Sequence, residues 1–428
     1  MSEPDLVFVA TNDLVGLTRG RALPLSALDS VLCGGTGWVP ANLALTSSGA
    51  ILPNNPFGPR GDLRLLPDPD SAVDLPSDED VPAIRIYLAD QVELDGTPWD
   101  CCPRSTLKAV LDRLRERTGL TVTASFEHEF MLRGVATDRP FTFGRLRAAE
   151  PFGTELVRLL SCAGLEPENW LPEYGAGQYE ITMKPADALT AADRAVLLRE
   201  IVRDLARRRG LRTTFSPIVE PTGTGNGVHI HFSLLDGQGE PVLYDANRPG
   251  GLSELGARFA SGILQHAPSV TAWTAPSPVS FTRLAPDHWS VAGSYLGERS
   301  REALLRICPT TSLSKTPVER QFNLEYRAAD ATANPWLSLA ALVAAGLQGI
   351  EAGYAPARVW LESVTDPEFP RLPGSTAEAL DALQADRTAR SWFAPGLVDL
   401  HLAVRRADIA DVEHLDAVAR CERTVDVY

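Results

Sequence analysis

The sequence predicts an α+β protein of two unequal parts: a strand- and turn-rich first hundred residues, then a larger segment in which helices and strands intermingle. Three observations carry this. Little helical periodicity occurs before Ser105, three stretches beyond it read as helices, and between those stretches apolar and polar residues alternate one for one. At 428 residues, with 44% hydrophobic and 22% charged content, the chain can bury a large core and exceeds one ordinary domain.

In chain order, LVFVAT and LVGLTRGRALPL read as strands separated by a turn at Asn12-Asp13, and Pro, Gly and Asp crowd the stretch from Pro40 to Pro103. A boundary near 103 follows, dividing the chain into 1–103 and 104–428. Ser105 is placed to cap a helix whose stripe is Leu107, Val110, Leu111 and Leu114, ending at Gly119. Thr190 and Asp193 resemble a capping box ahead of Val196, Leu197, Ile201 and Leu205; Arg207 to Arg209 then suit a helix C-terminus before Gly210, a structural rather than anion-binding use. Asn334-Pro335 opens a third helix. The apolar run Trp336 to Ile350 falls short of the roughly 20 residues a membrane span needs, so it reads as a buried helix.

Formal net charge is -15, from 55 acidic and 40 basic residues, which speaks against nucleic acid as a partner. Six cysteines without a CxxC pair give no disulfide framework, and MSEPDLVFVA lacks the features of a signal peptide. Reduced thiols and a cytoplasmic location, with no membrane partner, are the expectation.

The chemistry lies in four strand-like runs. Residues two apart on a strand share a face. In TVTASFEHEFML, Glu127 and Glu129 oppose Val122, Ala124, Phe126, Phe130 and Leu132, with His128 the polar exception on the apolar face. In QYEITMK, Gln178, Glu180 and Thr182 oppose Tyr179, Ile181 and Met183; in GVHIHFSL, His229, His231 and Ser233 oppose Val228, Ile230 and Phe232; in FNLEYRA, Asn323, Glu325 and Arg327 oppose Phe322, Leu324 and Tyr326. Any one of these alone is an ordinary half-buried strand with a wet side. Together their polar faces are mostly Glu, His and Arg, and same-face glutamates repel unless a cation lies between them. Oxygen donors with an occasional imidazole, and no cysteine, suit Mg²⁺ or Mn²⁺. The expectation is a metal-dependent site on a sheet.

These segments resemble the glutamine synthetase family over nearly the whole chain. FEHEF is similar to its E-x-E strand, PEYGAGQYEI to its G-x-G-Q-x-E segment, GNGVHIHFSL to its G-x-G-M-H-x-H-x-S-L segment, REALLRICP to its arginine pair before I-P, and LEYRAADATANPWLSLAA to its E-x-R-x-x-D-x-x-A-N-P-Y-L segment. LVGLTRGRALP and GDLRLLPDP match its N-terminal β-grasp domain more loosely. The resemblance implies a small β-grasp-like domain, then a catalytic domain whose antiparallel sheet is lined by metal ligands and flanked by helices. The implied activity is ATP-dependent joining of glutamate to an amine through γ-glutamyl phosphate, with two or more Mg²⁺ or Mn²⁺ per site. It also implies a homo-oligomeric ring, typically two stacked rings as in a dodecamer.

Carried over by position, Glu129, Glu173 and Glu180 hold one metal, and Glu127, His229 and Glu325 the other. Arg283, Arg301 and Arg327 are the implied catalytic arginines; His231, Ser233, Arg306 and Arg320 fall on the nucleotide side; Glu129, Gly225, His229 and Trp289 contact substrates. Three departures bear on the substrate. Trp289 stands where ammonia-using members carry a glutamate, no acid lies between Asp29 and Asp62 where they carry an Asp that meets a neighbouring subunit, and Thr224 replaces an Asn. Trp289, with Trp38, would then offer an apolar or cation–π surface to an organic amine. The alternatives are an ordinary ammonia-using synthetase, a relative without turnover, and a guanidino kinase of similar fold. The segment 354–372 lacks the family's N-L-Y adenylylation site, so control by that route is not expected.

Overall fold

Short alternating segments closed by Gly, Asn and Asp turns assemble into two sheets in the computed structural model, which describes residues 4–78, 81–136, 139–284, 290–291, 293–361 and 369–428. Among these residues, six strands make the first sheet: β1 (Leu6–Asn12), β2 (Thr18–Pro24), β3 (Thr36–Trp38), β4 (Leu63–Pro67), β5 (Val73–Leu75) and β6 (Ile84–Val92). Their order is β2-β1-β6-β4-β3, with β5 also on β6 and β1 parallel to β6. The Asn12-Asp13 turn is held by the Asp13 carboxylate, which accepts from the Val15 and Leu17 amides at 3.0 and 2.8 Å. Gly16 completes it with φ +75°, and a Cβ there would lie 2.8 Å from the Thr332 carbonyl oxygen, so only glycine lets this tip dock on the larger domain.

The second sheet contains β7 (Thr121–Arg133), β8 (Pro167–Pro172), β9 (Gln178–Met183), β10 (Ala186–Asp187), β11 (Arg212–Thr214), β12 (Val228–Leu235), β13 (Gly293–Glu298), β14 (Ala303–Ile307), β15 (Leu324–Tyr326) and β16 (Val359–Trp360). The order is β16-β13-β14-β15-β12-β7-β9-β8, with β10 and β11 also on β7. Pairing is antiparallel from β14 to β8, the part that carries the expected ligands, while β13 runs parallel to β14 and to β16 at one edge. Apolar side chains from both sheets and the surrounding helices join one continuous core.

The three helices that periodicity marks occur where it places them, but two start earlier than their polar residues indicate, and a short helix it does not mark, Leu28–Gly34, lies in the first hundred residues. The first spans Pro103–Thr118: Cys102 is its cap, its Sγ accepting from the Ser105 amide at 3.5 Å, and Pro103 occupies the position that needs no donor. Gly119 closes it in the left-handed conformation. The second spans Ala188–Arg208 and is capped by Asp187, which accepts from the Thr190 amide at 3.1 Å, so Thr190 lies inside the first turn. Asp193 is no cap either; it turns inward to Arg104 at 2.7 Å. Arg207 and Arg208 pair with Asp204, and Arg209 with Glu155, in keeping with a structural use. The third helix, Pro335–Glu351, is capped by Asn334 and buried along almost its whole length. No described helix is long and apolar enough to cross a membrane, and all six cysteines are free.

Arg104 ties the first sheet to the helix Ala188–Arg208 of the larger part. Its guanidinium is 2% exposed and meets Asp193 at 2.7 Å, Asp68 at 2.8 Å and Asp90 at 3.3 Å, while Trp336 Nε1 donates to the other Asp193 oxygen at 2.7 Å.

Candidate active site

Strand register assembles the polar faces into a grid. On β7, Glu127 lies opposite His229 of β12 on one side and Thr182 of β9 on the other, and Glu129 lies opposite Glu180 of β9. One step along, His231 of β12 is flanked by Ser125 of β7 and Glu325 of β15, and Glu325 in turn by Arg306 of β14. His128, the exception in the alternation, points into the core with 1% exposure.

Within the grid, His229 Nδ1 lies 3.3 Å from Glu127 Oε2, 3.7 Å from Glu325 Oε1 and 4.0 Å from Glu129 Oε1. His231 Nε2 lies 3.1 Å from Glu127 Oε1. Ligand atoms of Glu127, Glu180 and His229 all fall within 4.8 Å of one another. Glu129 is fixed from behind, its Oε2 accepting from the Gly227 amide at 2.7 Å. Glu325 is 1% exposed and takes Arg306 Nη1 at 2.8 Å on one oxygen and Arg327 Nη1 on the other.

The electrostatics divide the carboxyls. Burial pushes Glu180 up to about 9, with the charges of Glu127, Glu129 and Glu173 adding to it. Burial, then Glu129, lifts Glu173 to about 7. Burial also works against Glu325 and Glu127, but Arg327 and His229 hold Glu325 at about 2, and hydrogen bonds from His229 and His231 hold Glu127 well below the ordinary range. A face with so many oxygen donors, two of them pushed toward the neutral form by burial and by the others' charges, lacks positive charge. This donor set fits divalent cations of the Mg²⁺ class.

The arginines fall into different settings. Arg283 is 4% exposed, and its Nη2 donates to the carbonyls of Ala328 and Ala329 at 2.9 and 2.8 Å. Its stem crosses Gly225, where a Cβ would lie 2.4 Å from Arg283 Cγ, so glycine is required there. Arg327 donates from Nε to the Arg301 carbonyl at 2.8 Å, while the Arg301 side chain is exposed and bears electrostatically on Glu173. Arg320 is partly exposed, paired with Glu240 at 2.7 Å.

Beside the grid lies a cavity of about 490 Å³ whose walls include Glu127, His231, Ser233, Arg320 and Asn323. Ser233 is oriented by donating to the Phe322 carbonyl at 2.8 Å.

Two site features escape spacing arguments. Gln178 organises the substrate side, donating to the Gly225 carbonyl at 2.8 Å and to Asn226 Oδ1 at 3.0 Å while accepting from the Gly175 amide at 2.8 Å. Alternation puts it on the face of Glu180, but its role as an organiser of the neighbouring loops comes only from the fold. Cys308, expected to play no part, is in the site: its Sγ lies 3.6 Å from His231 Nδ1 and 3.8 Å from Glu325 Oε2. It follows β14 directly, so the strand that delivers Arg306 delivers it too. Trp38 does not reach the site; it is 7% exposed in the core. Trp289 lies outside the described residues, as do 362–368 of the segment examined for adenylylation.

Comparison with known proteins agrees with this geometry. The family model described as glutamine synthetase, catalytic domain, matches residues 100–423, and that described as glutamine synthetase N-terminal domain matches residues 2–99. The chain is 32% identical to gamma-glutamylpolyamine synthetase GlnA3 of Streptomyces coelicolor, over 96% of this chain and 91% of that one. It is 31% identical to the glutamine synthetase of Halobacterium salinarum, over 82% and 80%. A crystal structure described as a novel glutamine synthase homolog superposes with TM-score 0.93 at 45% identity, covering 100% of this chain and 99% of that one. Ligand-free GmaS superposes with TM-score 0.82 at 26% identity, covering 99% and 97%. With a carboxylate grid fit for divalent cations and matches spanning both parts of the chain, this protein belongs to the glutamine synthetase family and is an ATP-dependent carbon–nitrogen ligase.

Proposed function

We propose that this ligase joins glutamate to an organic amine, yielding a γ-glutamyl amide in place of glutamine. The observation that carries the reading is Trp289 in the position where the ammonia-using members have a glutamate. An ammonium pocket needs anionic groups, and the stretch between Asp29 and Asp62 offers none. An indole at that position favours a larger, partly apolar amine. The similarity to a gamma-glutamylpolyamine synthetase over 96% of the chain supports it.

In this reading Glu129, Glu173 and Glu180 hold one divalent cation and Glu127, His229 and Glu325 the other. The second set is supported by His229 Nδ1 standing within 3.7 Å of both Glu127 and Glu325 oxygens. Bound cations supply charge neutralisation for phosphoryl transfer. The chain's own residues do the rest. The γ-carboxylate of glutamate attacks the terminal phosphorus of ATP, releasing ADP and leaving γ-glutamyl phosphate. Arg301, Arg306 and Arg327 set positive charge beside the transferring group. Arg283, locked on backbone carbonyls, and Gly225 and Glu129, both held by Gln178, shape the glutamate side. His231, Ser233 and Arg320 border the cavity assigned to the nucleotide. The amine nitrogen then attacks the acyl carbon, the C–O bond to phosphate breaks, and the amine's proton passes to solvent or an acceptor. A homo-oligomeric ring belongs to the same reading, and light scattering on the eluted protein tests it.

Purified protein is incubated with ATP, Mg²⁺ and glutamate, with ammonia or with a panel of mono-, di- and polyamines, and products are read by mass spectrometry. A γ-glutamyl amide with little glutamine is expected. Glutamine as the dominant product makes this an ordinary synthetase and removes the argument from Trp289.

A further inference from the structure

Beside His231 and Glu325 stands Cys308, a thiol that the ligase chemistry does not use, and the three together have a geometry of their own. A tetrahedral Zn²⁺ with Zn–S of about 2.3 Å and Zn–N or Zn–O of about 2.0–2.1 Å has ligand–ligand edges of about 3.5–3.6 Å. Cys308 Sγ lies 3.6 Å from His231 Nδ1 and 3.8 Å from Glu325 Oε2, so both sulfur edges already match within a few tenths of an ångström. Ligand atoms of all three residues lie within 4.8 Å of one another. Asn323 Oδ1, 2.9 Å from His231 Nδ1, adds an oxygen donor at the same point. Cys308 is 8% exposed and Glu325 1% exposed, while His231 faces the 490 Å³ cavity, which gives a cation its way in.

We propose that His231, Cys308 and Glu325 form a further cation site beside the two of the grid, selective for a borderline-soft divalent ion such as Zn²⁺, whose occupation inhibits the enzyme. The thiolate separates this site from the oxygen-rich grid, because Mg²⁺ has little affinity for sulfur whereas Zn²⁺ and Co²⁺ have much. The charges balance. Binding releases the Cys308 thiol proton and the proton that His231 Nδ1 shares with Asn323, both to solvent, and thiolate and carboxylate offset the two positive charges. Glu325 Oε2 keeps Arg306 Nη1 at 2.8 Å while offering its other lone pair. Inhibition follows because Glu325 and His231 are drawn to the new ion, one away from the grid and the other from the cavity wall. The proposal stands whichever amine the enzyme uses.

The test uses the full chain saturated with Mg²⁺. Added Co²⁺ is expected to give a thiolate-to-cobalt charge-transfer band that is lost in Cys308→Ser, although five other cysteines remain. Zn²⁺ is expected to inhibit the parent protein, and its inhibition constant to rise by about 10-fold or more in the variant. Should Cys308→Ser fail to fold, the unaltered protein decides: Zn²⁺ is expected to slow alkylation of the Cys308 peptide, read by mass spectrometry. A band that persists in Cys308→Ser, or equal alkylation with and without Zn²⁺, overturns the proposal.

Discussion

Replacing Arg104 by Met tests the junction between the first sheet and the helices of the larger part. The side chain is 2% exposed and holds three carboxylates. Asp68 and Asp90 are about one-fifth exposed and keep Lys108 at 3.6 and 2.5 Å, so their loss is small. Asp193 is different: burial already lifts its carboxyl above the ordinary value despite Arg104, and without Arg104 it retains only the Trp336 indole as side-chain donor. Removing one partner of such a buried pair costs about 3–5 kcal/mol. Unfolding entropy of about 2.1 cal/mol/K per residue over 428 residues is about 0.9 kcal/mol/K, so melting of the whole chain drops by about 3–6 °C. Calorimetry measures this, with Asp193→Asn added to the Arg104→Met background as the second arm. The double variant recovers part of the loss because an uncharged amide no longer needs the guanidinium. A melting temperature unchanged by Arg104→Met, or a double variant no better than the single one, refutes the reasoning.

Other expectations follow from the same structure. Gly225→Ala drives a Cβ into Arg283 Cγ at 2.4 Å, so it destabilises by about 1–3 kcal/mol in denaturant titration and raises KM for glutamate more than KM for ATP. Burial, then Arg405, depresses His401 to about 3 from 6.5. The folded state therefore binds fewer protons, and the contribution is complete above pH 6.5 and lost as pH falls toward 3. By pH 5 about 2 kcal/mol of it is lost, and His401→Phe flattens the stability slope between pH 6.5 and 5. With Glu180 raised to about 9 and Glu173 to about 7, Mg²⁺ binding to metal-free protein at pH 7 releases about 1.5 protons. Calorimetry in buffers of different ionisation enthalpy reads that number, and zero release counts against these two glutamates as ligands.

Much of the site is legible in the sequence because a strand's period of two is rigid. Once FEHEF and GVHIHFSL are strands, Glu127, Glu129, His229 and His231 must share a face. What spacing cannot convey is which strands are neighbours. Glu325 meets His231 and Arg306 only through the β12-β15-β14 register, and Cys308 joins them through the same pairing. Nor does alternation tell a wet face from a buried polar one: Glu325 and Arg327 are almost wholly enclosed because they satisfy each other. The helix starts were misplaced for a local reason. Cys102 caps through sulfur, an unusual acceptor, and Asp193 looks like a capping residue but is committed to Arg104.

The grid of β7, β9, β12 and β15 has a consequence for how this enzyme can change over time. A single-residue insertion in β7 ahead of Glu127 would exchange the faces, sending both glutamates into the core and Phe126 and Phe130 out of it. Folding and catalytic competence are thus locked to one register, and neither can drift without the other. Innovation is left to positions off the lattice, in the loops between its strands. Side chains can be substituted there, generation after generation, while the carboxylate grid is inherited intact.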